Sequence, residues 1–329
     1  MVLEIIHKEI NILNIGGIIG IIIGILFFII ILISLYFSYS LLYPMNHPIK
    51  ENPGDYNLKY EDISFKTEDD ILLKGWYIPT DSDNLVIMVH PGYFSRVGFD
   101  PKNQGLAKIT NIEVKFLPTV KQLQNAGYSV IFFDLRNHGE SGKSKSGKVY
   151  VGLDEYKDVI AVMKYVNSQT ELQNKKKAFF SMCTGANATI IAMHKQPELF
   201  QDIKCLLALQ PVAANHFIWN LVKNLYTIVS AILIVPLVSL ISRIWSGRWF
   251  SEMSPLQYCQ DIICPVFFVQ AKTDKWATLS DIQEYYDKSP DPKEILFVEE
   301  DYPLHRFDMY NYFGKKPNIM LKNFKENMK

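Results

Sequence analysis

Phe179-Phe180-Ser181-Met182-Cys183-Thr184-Gly185-Ala186 sets a single cysteine between an apolar run and a stretch of helical spacing. The spacing predicts a strand over 177–182 and a helix over 185–193. A nucleophile on so tight a strand-to-helix turn stands at the head of a sheet, with its side chain projecting into a site. The backbone folds back closely there, so the residues two before and two after must be small. Ser181 and Gly185 fill those places. The following helix aims its N-terminus, with its free N–H groups, at the cysteine. Taken alone, small-x-Cys-x-Gly suits a buried structural cysteine as well as it suits a nucleophile.

Working outward, runs over 85–90, 128–133, 203–209, 265–270 and 294–298 read as strands, 128–133 as a buried one, and 63–78 alternates around Glu68-Asp69-Asp70 as a hairpin. Helical spacing covers 117–125 and 156–166, the second with Val159, Val162, Met163 and Val166 on one face. Uninterrupted apolar strands alternating with helices imply a mostly parallel sheet covered on both sides.

The N-terminal region is different in kind. Between Glu9 and Lys50 there is no Asp, Glu, Lys or Arg, and Ile15–Leu42 exceeds the roughly 20 apolar residues that cross a bilayer. The start carries both signs of charge and no small-x-small site closes the run, which argues for a retained anchor over a cleaved signal peptide. The expected division is therefore an anchor over 1–43 and a catalytic domain over 44–329. Gly16, Gly20 and Gly24 would let two such helices approach as a dimer. Lysine flanks both ends (Lys8 on one side, Lys50 and Lys59 on the other), a slight bias toward a cytoplasmic domain.

A second uncharged stretch, 224–242, lies between two predicted strands of one sheet, so it must leave and return on the same side. It is expected to form a cap over about 213–253, kinked or split at Pro236. Trp219 and Trp245 with Arg243 and Arg248 suit a membrane interface, and a cap that simply buries its apolar face on the domain is equally compatible. The formal net charge of zero gives no footprint for nucleic acid. Four cysteines without tight spacing read as free thiols in a reducing compartment, and no metal or cofactor motif is present.

The order of the remaining motifs is more specific. His90-Pro91-Gly92-Tyr93 comes first, then Phe133-Asp134-Leu135-Arg136-Asn137-His138-Gly139-Glu140-Ser141, then the cysteine turn. Gln270-Ala271-Lys272-Thr273-Asp274 and Tyr302-Pro303-Leu304-His305 follow. From about Tyr60 to the C-terminus this order and spacing resemble the α/β-hydrolase family. The D-x-R-x-H-G-x-S string resembles its membrane-anchored branch in particular. The resemblance implies an eight-stranded, mostly parallel sheet with helices on both faces, a helical cap after the sixth strand and one preceding transmembrane helix. It also implies a triad of Cys183, His305 and Asp274.

In that triad His305 would take the thiol proton and Asp274 would orient the imidazole, with Asp301 and Asp308 as alternative acids. Thr184 N–H, with that of Gly92 or Tyr93, would hold the oxyanion. His138 is expected to brace a loop. Most family members carry serine at the Cys183 position and glycine at Ser181. A cysteine there resembles dienelactone hydrolases, polyester synthases and amino-acid acyltransferases. The expected activity is cleavage of an ester or thioester through a cysteine acyl-enzyme at a membrane, on an apolar, lipid-like substrate. An acyltransferase with the same intermediate, or an inactive binding module, are the alternatives.

Overall fold

The computed structural model describes residues 2–44, 47–103 and 110–329, with the backbone alone for 2–14 and 103. In chain order the strands are β1 (Glu61–Lys66), β2 (Leu72–Ile78), β3 (Asn84–Val89), β4 (Gly98–Phe99), β5 (Val114–Lys115), β6 (Ser129–Phe133), β7 (Lys176–Met182), β8 (Ile203–Leu209), β9 (Val266–Ala271) and β10 (Lys293–Val298). The helices are α1 (Val2–Leu42), α2 (Leu117–Asn125), α3 (Tyr156–Ser168), α4 (Thr184–Lys195), α5 (Ala214–Leu225), α6 (Ile228–Ser246), α7 (Leu279–Lys288), α8 (Arg306–Lys315) and α9 (Asn318–Asn327).

Eight strands form one sheet in the order β1-β2-β6-β3-β7-β8-β9-β10, while β4 and β5 make a separate small ribbon. All neighbours in the large sheet are parallel except β2, which runs antiparallel to both β1 and β6. This is the fold expected from the sequence. Each buried strand feeds two cores by period-two alternation. In β3, Val86 and Met88 join Leu123 of α2 and Phe324 of α9 on one face. Leu85, Ile87 and Val89 join Val162 of α3 and Ile190 of α4 on the other. In register, Val89 lies beside both Phe133 and Ser181, so the carboxyl ends of β3, β6 and β7 align. The loops that follow converge there, the edge where open α/β sheets bind ligands.

The cap sits between β8 and β9 and consists of α5 and α6. Because β8 and β9 are neighbours in one sheet, this connection starts and ends on the same side. Pro236 does not split the cap as expected: α6 runs through it from Ile228 to Ser246. The helix tolerates the lost N–H because one flank packs on α1, burying Ala231, Ile234, Val238 and Ser242.

Helix α1 is exposed at every residue from 15 to 29 and packs from Ile30 onward. At the crossing with α6, Ser34 and Ser38 are fully buried, and the Ser38 hydroxyl donates to the carbonyls of Ser34 (2.8 Å) and Val238 (3.3 Å). Small side chains let the two backbones approach. By length and composition both Ile15–Leu42 and Ile228–Ser246 are apolar enough to cross a membrane. The outward face of α6 is nevertheless apolar, with Ile228, Val229, Ile232, Leu233, Leu240 and Ile244 exposed.

Candidate active site

Cys183 caps α4 with φ 49° and ψ −115°, a left-handed backbone that a non-glycine residue adopts only under constraint. The constraint is visible. Its N–H donates to Leu209 O (2.8 Å), and its carbonyl accepts from Asn187 N–H (3.0 Å). Gly185 is obligatory, because a Cβ there would sit 2.6 Å from Val89 O and 2.7 Å from His90 O. Ser181 fits where glycine is usual because its hydroxyl pairs with that of Thr189 at 2.8 Å. Cys183 is partly exposed, whereas Cys205, Cys259 and Cys264 are buried. Burial pushes the Cys205 and Cys259 thiols up to about 12 and raises that of Cys264 as well, so these three are inert packing.

The D-x-R-x-H-G-x-S string forms a buried polar network behind the loop that follows β3. Asp134 accepts from Arg96 N–H (2.7 Å) and Glu140 N–H (3.0 Å) and pairs with the Arg96 guanidinium. Arg136 bonds Asp158 (2.7 Å) and Asp69 (2.9 Å). Ser141 Oγ donates to Asp134 O at 2.6 Å. His138 is buried, its Nε2 accepts from Tyr93 N–H (3.0 Å), and its Nδ1 lies 2.7 Å from Arg136 O. Those partners require Nδ1–H to donate, hence a neutral ring. Burial holds His138 down to about 4, against the raising effect of the Arg136 carbonyl. It braces the loop after β3, as expected.

That brace narrows the oxyanion assignment. The Tyr93 N–H is spent on His138, and its hydroxyl donates to Leu41 O of α1. Gly92 lies against Thr184, where a Cβ would meet Oγ1 at 2.8 Å. Neither Thr184 N–H nor Gly92 N–H has a partner among the described residues. Of the three expected donors, Thr184 and Gly92 are therefore the two left free to converge on a substrate oxygen.

Asp274 is buried at the carboxyl end of β9 and fully occupied. It accepts from Trp276 N–H (2.9 Å), Gln210 Nε2 (3.1 Å), Gln270 Nε2 (3.2 Å) and Arg306 Nη1 (2.6 Å). His305 is not among its partners. The imidazole caps α8 instead: Nδ1 accepts from Phe307 N–H at 3.1 Å, while Asp308 accepts from His305 N–H at 3.0 Å. This reciprocal capping box turns the ring toward the start of its own helix. There it stands edge-on to Trp276 at 4.8 Å. Burial lowers its pKa, opposed by Asp274 and Asp308.

One position on, Arg306 lines the same cavity as Cys183. It is 2% exposed and donates to Asp274 and to the Gln210 carbonyl. Tyr310 lines that cavity as well. Arg306 thus links buried Asp274 to the cavity that Cys183 also lines, and the expected base His305 is not among the residues lining it. Asp308 serves the α8 cap, and Asp301 is exposed.

A cavity of about 480 Å³ opens above the thiol. Cap residues (Phe217, Ile218, Leu221), Trp276 and the last turns of α1 (Phe37, Ser40, Leu41) line it. Its exposed lining residues are Tyr36 and Tyr39 of α1 with Leu225 and Tyr226 at the α5–α6 junction, so the mouth lies between α1 and the cap. No group of His, Cys, Asp and Glu suited to a metal occurs among the described residues.

No family model and no curated protein matches the chain. Solved structures do. An esterase of Pyrococcus furiosus superposes with TM-score 0.65 at 22% identity, covering 88% of this chain and 100% of its own. The acylaminoacyl peptidase of Pyrococcus horikoshii gives 0.55 at 15%, covering 83% of this chain and 42% of its own. A dienelactone hydrolase of Anabaena variabilis gives 0.52 at 12%, over 83% and 99% of the two chains. With the sheet order and the elbow, these likenesses define the α/β-hydrolase fold.

Proposed function

We propose that this chain is a membrane-anchored acyl enzyme. Cys183 attacks an ester or thioester, and water or a second nucleophile then takes the acyl group from the protein thioester. The observation that carries this reading is the strained Cys183 elbow beneath a largely apolar cavity. Neighbours named as an esterase and a dienelactone hydrolase support ester cleavage. Thr184 and Gly92 N–H groups would stabilise the tetrahedral oxyanion. In the triad form of this reading, His305 takes the thiol proton while Asp274 orients the ring. That form requires the imidazole to leave Phe307 N–H and Arg306 to leave Asp274.

In the same reading α1 anchors the enzyme, the catalytic domain faces the cytoplasm, and the exposed face of α6 rests on the bilayer. The cavity mouth would then lie where an acyl chain can enter sideways from lipid. A Cβ at Gly16, Gly20 or Gly24 would meet no neighbouring element, and this open face would let a second copy pack against α1. The test is labelling of full-length protein in vesicles by a long-chain thiol-reactive acyl probe. Labelling should disappear in C183A, and equal labelling of C183A would refute the nucleophile assignment. The occupied Asp274 favours a second reading, an inactive module that binds an apolar ligand. In that case the cavity would take up a fluorescent fatty acid while no acyl donor modified Cys183.

A further inference from the structure

We infer that the last two turns of α1 are a wall of the substrate site, and that the substrate they select carries a long hydrocarbon acyl chain. The inference deepens the acyl-enzyme reading and rests on it. A helix that served only as a tether would need no fixed place against the domain, yet the end of α1 is built in. Its last carbonyls have no partner within the helix, and loops of the domain take two of them. Leu41 O accepts from the hydroxyl of Tyr93, the residue after Gly92. Leu42 O accepts from Val149 N–H at 2.8 Å. On the flank, the Ser38 hydroxyl donates to Val238 O of the cap helix α6 at 3.3 Å.

The same turns line the cavity that Cys183 lines. Phe37, Ser40 and Leu41 lie along it, and Tyr36 and Tyr39 stand at its exposed mouth. Phe37 meets Tyr226 of the cap edge-on, with ring centroids 6.3 Å apart. Among the described residues, Arg306 is the one charged side chain in the lining, and Asp274 and the Gln210 carbonyl already hold it. Most of the remaining lining is aromatic or aliphatic. A charged or hydroxylated tail would leave polar atoms unpaired there, a cost that hydrocarbon avoids. At about 30 Å³ for a group the size of a water molecule, the cavity of about 480 Å³ takes about sixteen such groups. An acetyl or butanoyl group would leave most of it unfilled.

An acyl carbon at the Cys183 sulfur fixes one end of the chain at the elbow. Its tail then runs toward the mouth, between the last turns of α1 and the cap. Ser40 is the smallest of the α1 residues in the lining and half-buried, so it leaves room for that tail. Each methylene that leaves water for such a wall improves binding about fourfold. Preference for long chains is therefore set by α1 as well as by the cap.

The experiment uses the full chain in detergent micelles with the p-nitrophenyl esters of butanoic and dodecanoic acid. Release of p-nitrophenolate reports acylation of Cys183 whether or not the acyl group later leaves. Wild type should react faster with the dodecanoyl ester. S40F sets a ring in the wall and should lower the dodecanoyl-to-butanoyl ratio of rate constants about 15- to 60-fold, the worth of two or three methylenes. Partition of each ester into micelles is common to both proteins and cancels in the comparison. I22F, on the exposed stretch of α1, should keep the wild-type ratio. If thermal melting shows that S40F does not fold, photolabelling of C183A by dodecanoic acid with a diazirine at its terminal carbon decides. That label should fall within 36–43. A folded S40F with the wild-type ratio, or label confined to other elements, overturns the inference while leaving the acyl-enzyme reading standing. Absence of release from wild type, or equal release from C183A, overturns the acyl-enzyme reading, and the photolabel then decides the wall alone.

Discussion

Replacing His138 by glutamine isolates one buried proton site and gives the fold a measurable pH signature. In the folded chain burial holds this imidazole at about 4, against 6.5 for the free side chain. The unfolded chain therefore binds a proton at a pH where the native chain does not. Stability from the neutral ring is fully present above about pH 6.5 and is lost progressively as pH falls toward 4. Linkage over that window gives a loss of about 2 kcal/mol between pH 7 and pH 5. His90, also held low by burial, adds in the same direction. Asp158 works the other way: burial, opposed by Arg136, raises it to about 7, so its native form holds a proton that the unfolded chain releases. The Asp158 term is common to wild type and variant and cancels in the difference, while removing His138 also relieves part of the lowering of His90 and so acts in the same direction as the loss of its own titration. Glutamine keeps a donor for Arg136 O and an acceptor for Tyr93 N–H but does not titrate. Urea unfolding of the two proteins at pH 7, 6 and 5 should show H138Q losing about 2 kcal/mol less than wild type on acidification. Equal losses would refute the assignment of a neutral, desolvated ring at this position.

Other substitutions test the remaining supports. G185A puts a methyl group against the Val89 and His90 carbonyls and should cost about 1–3 kcal/mol in urea unfolding, the scale of core overpacking. D158A strands the buried Arg136 charge and should cost about 3–5 kcal/mol. D69A, whose carboxylate is partly exposed, should cost about 1 kcal/mol or less in the same assay. S38L drives a side chain into the α1–α6 crossing and should lower the melting temperature in detergent, a shift that S38A should not reproduce. I232D with L233D charges the outward face of α6; it should leave melting unchanged and reduce flotation of an anchor-truncated domain with anionic vesicles.

The fold was readable because its evidence is distributed along the chain. Each strand from β3 to β10 of the main sheet is an apolar run bounded by turn residues, and no single misreading alters the order of elements. The elbow was readable for a local reason, since Gly185 and Ser181 are what the close approach to Val89 O and the packing against Thr189 demand. Pro236 does not interrupt α6, because packing of the helix flank on α1 outweighs proline's local tendency to break it. The placement of His305 is hidden for a subtler reason. Motif order places a histidine after the last strand, but a site is completed by where a side chain points, and at His305 that is set by Asp308 three residues on. His305-x-x-Asp308 is itself a helix-start signal, and an arginine between Leu304 and Phe307 must find a buried acid. With Asp274 as that acid, the carboxylate expected to orient an imidazole is taken by a guanidinium one residue further along the chain.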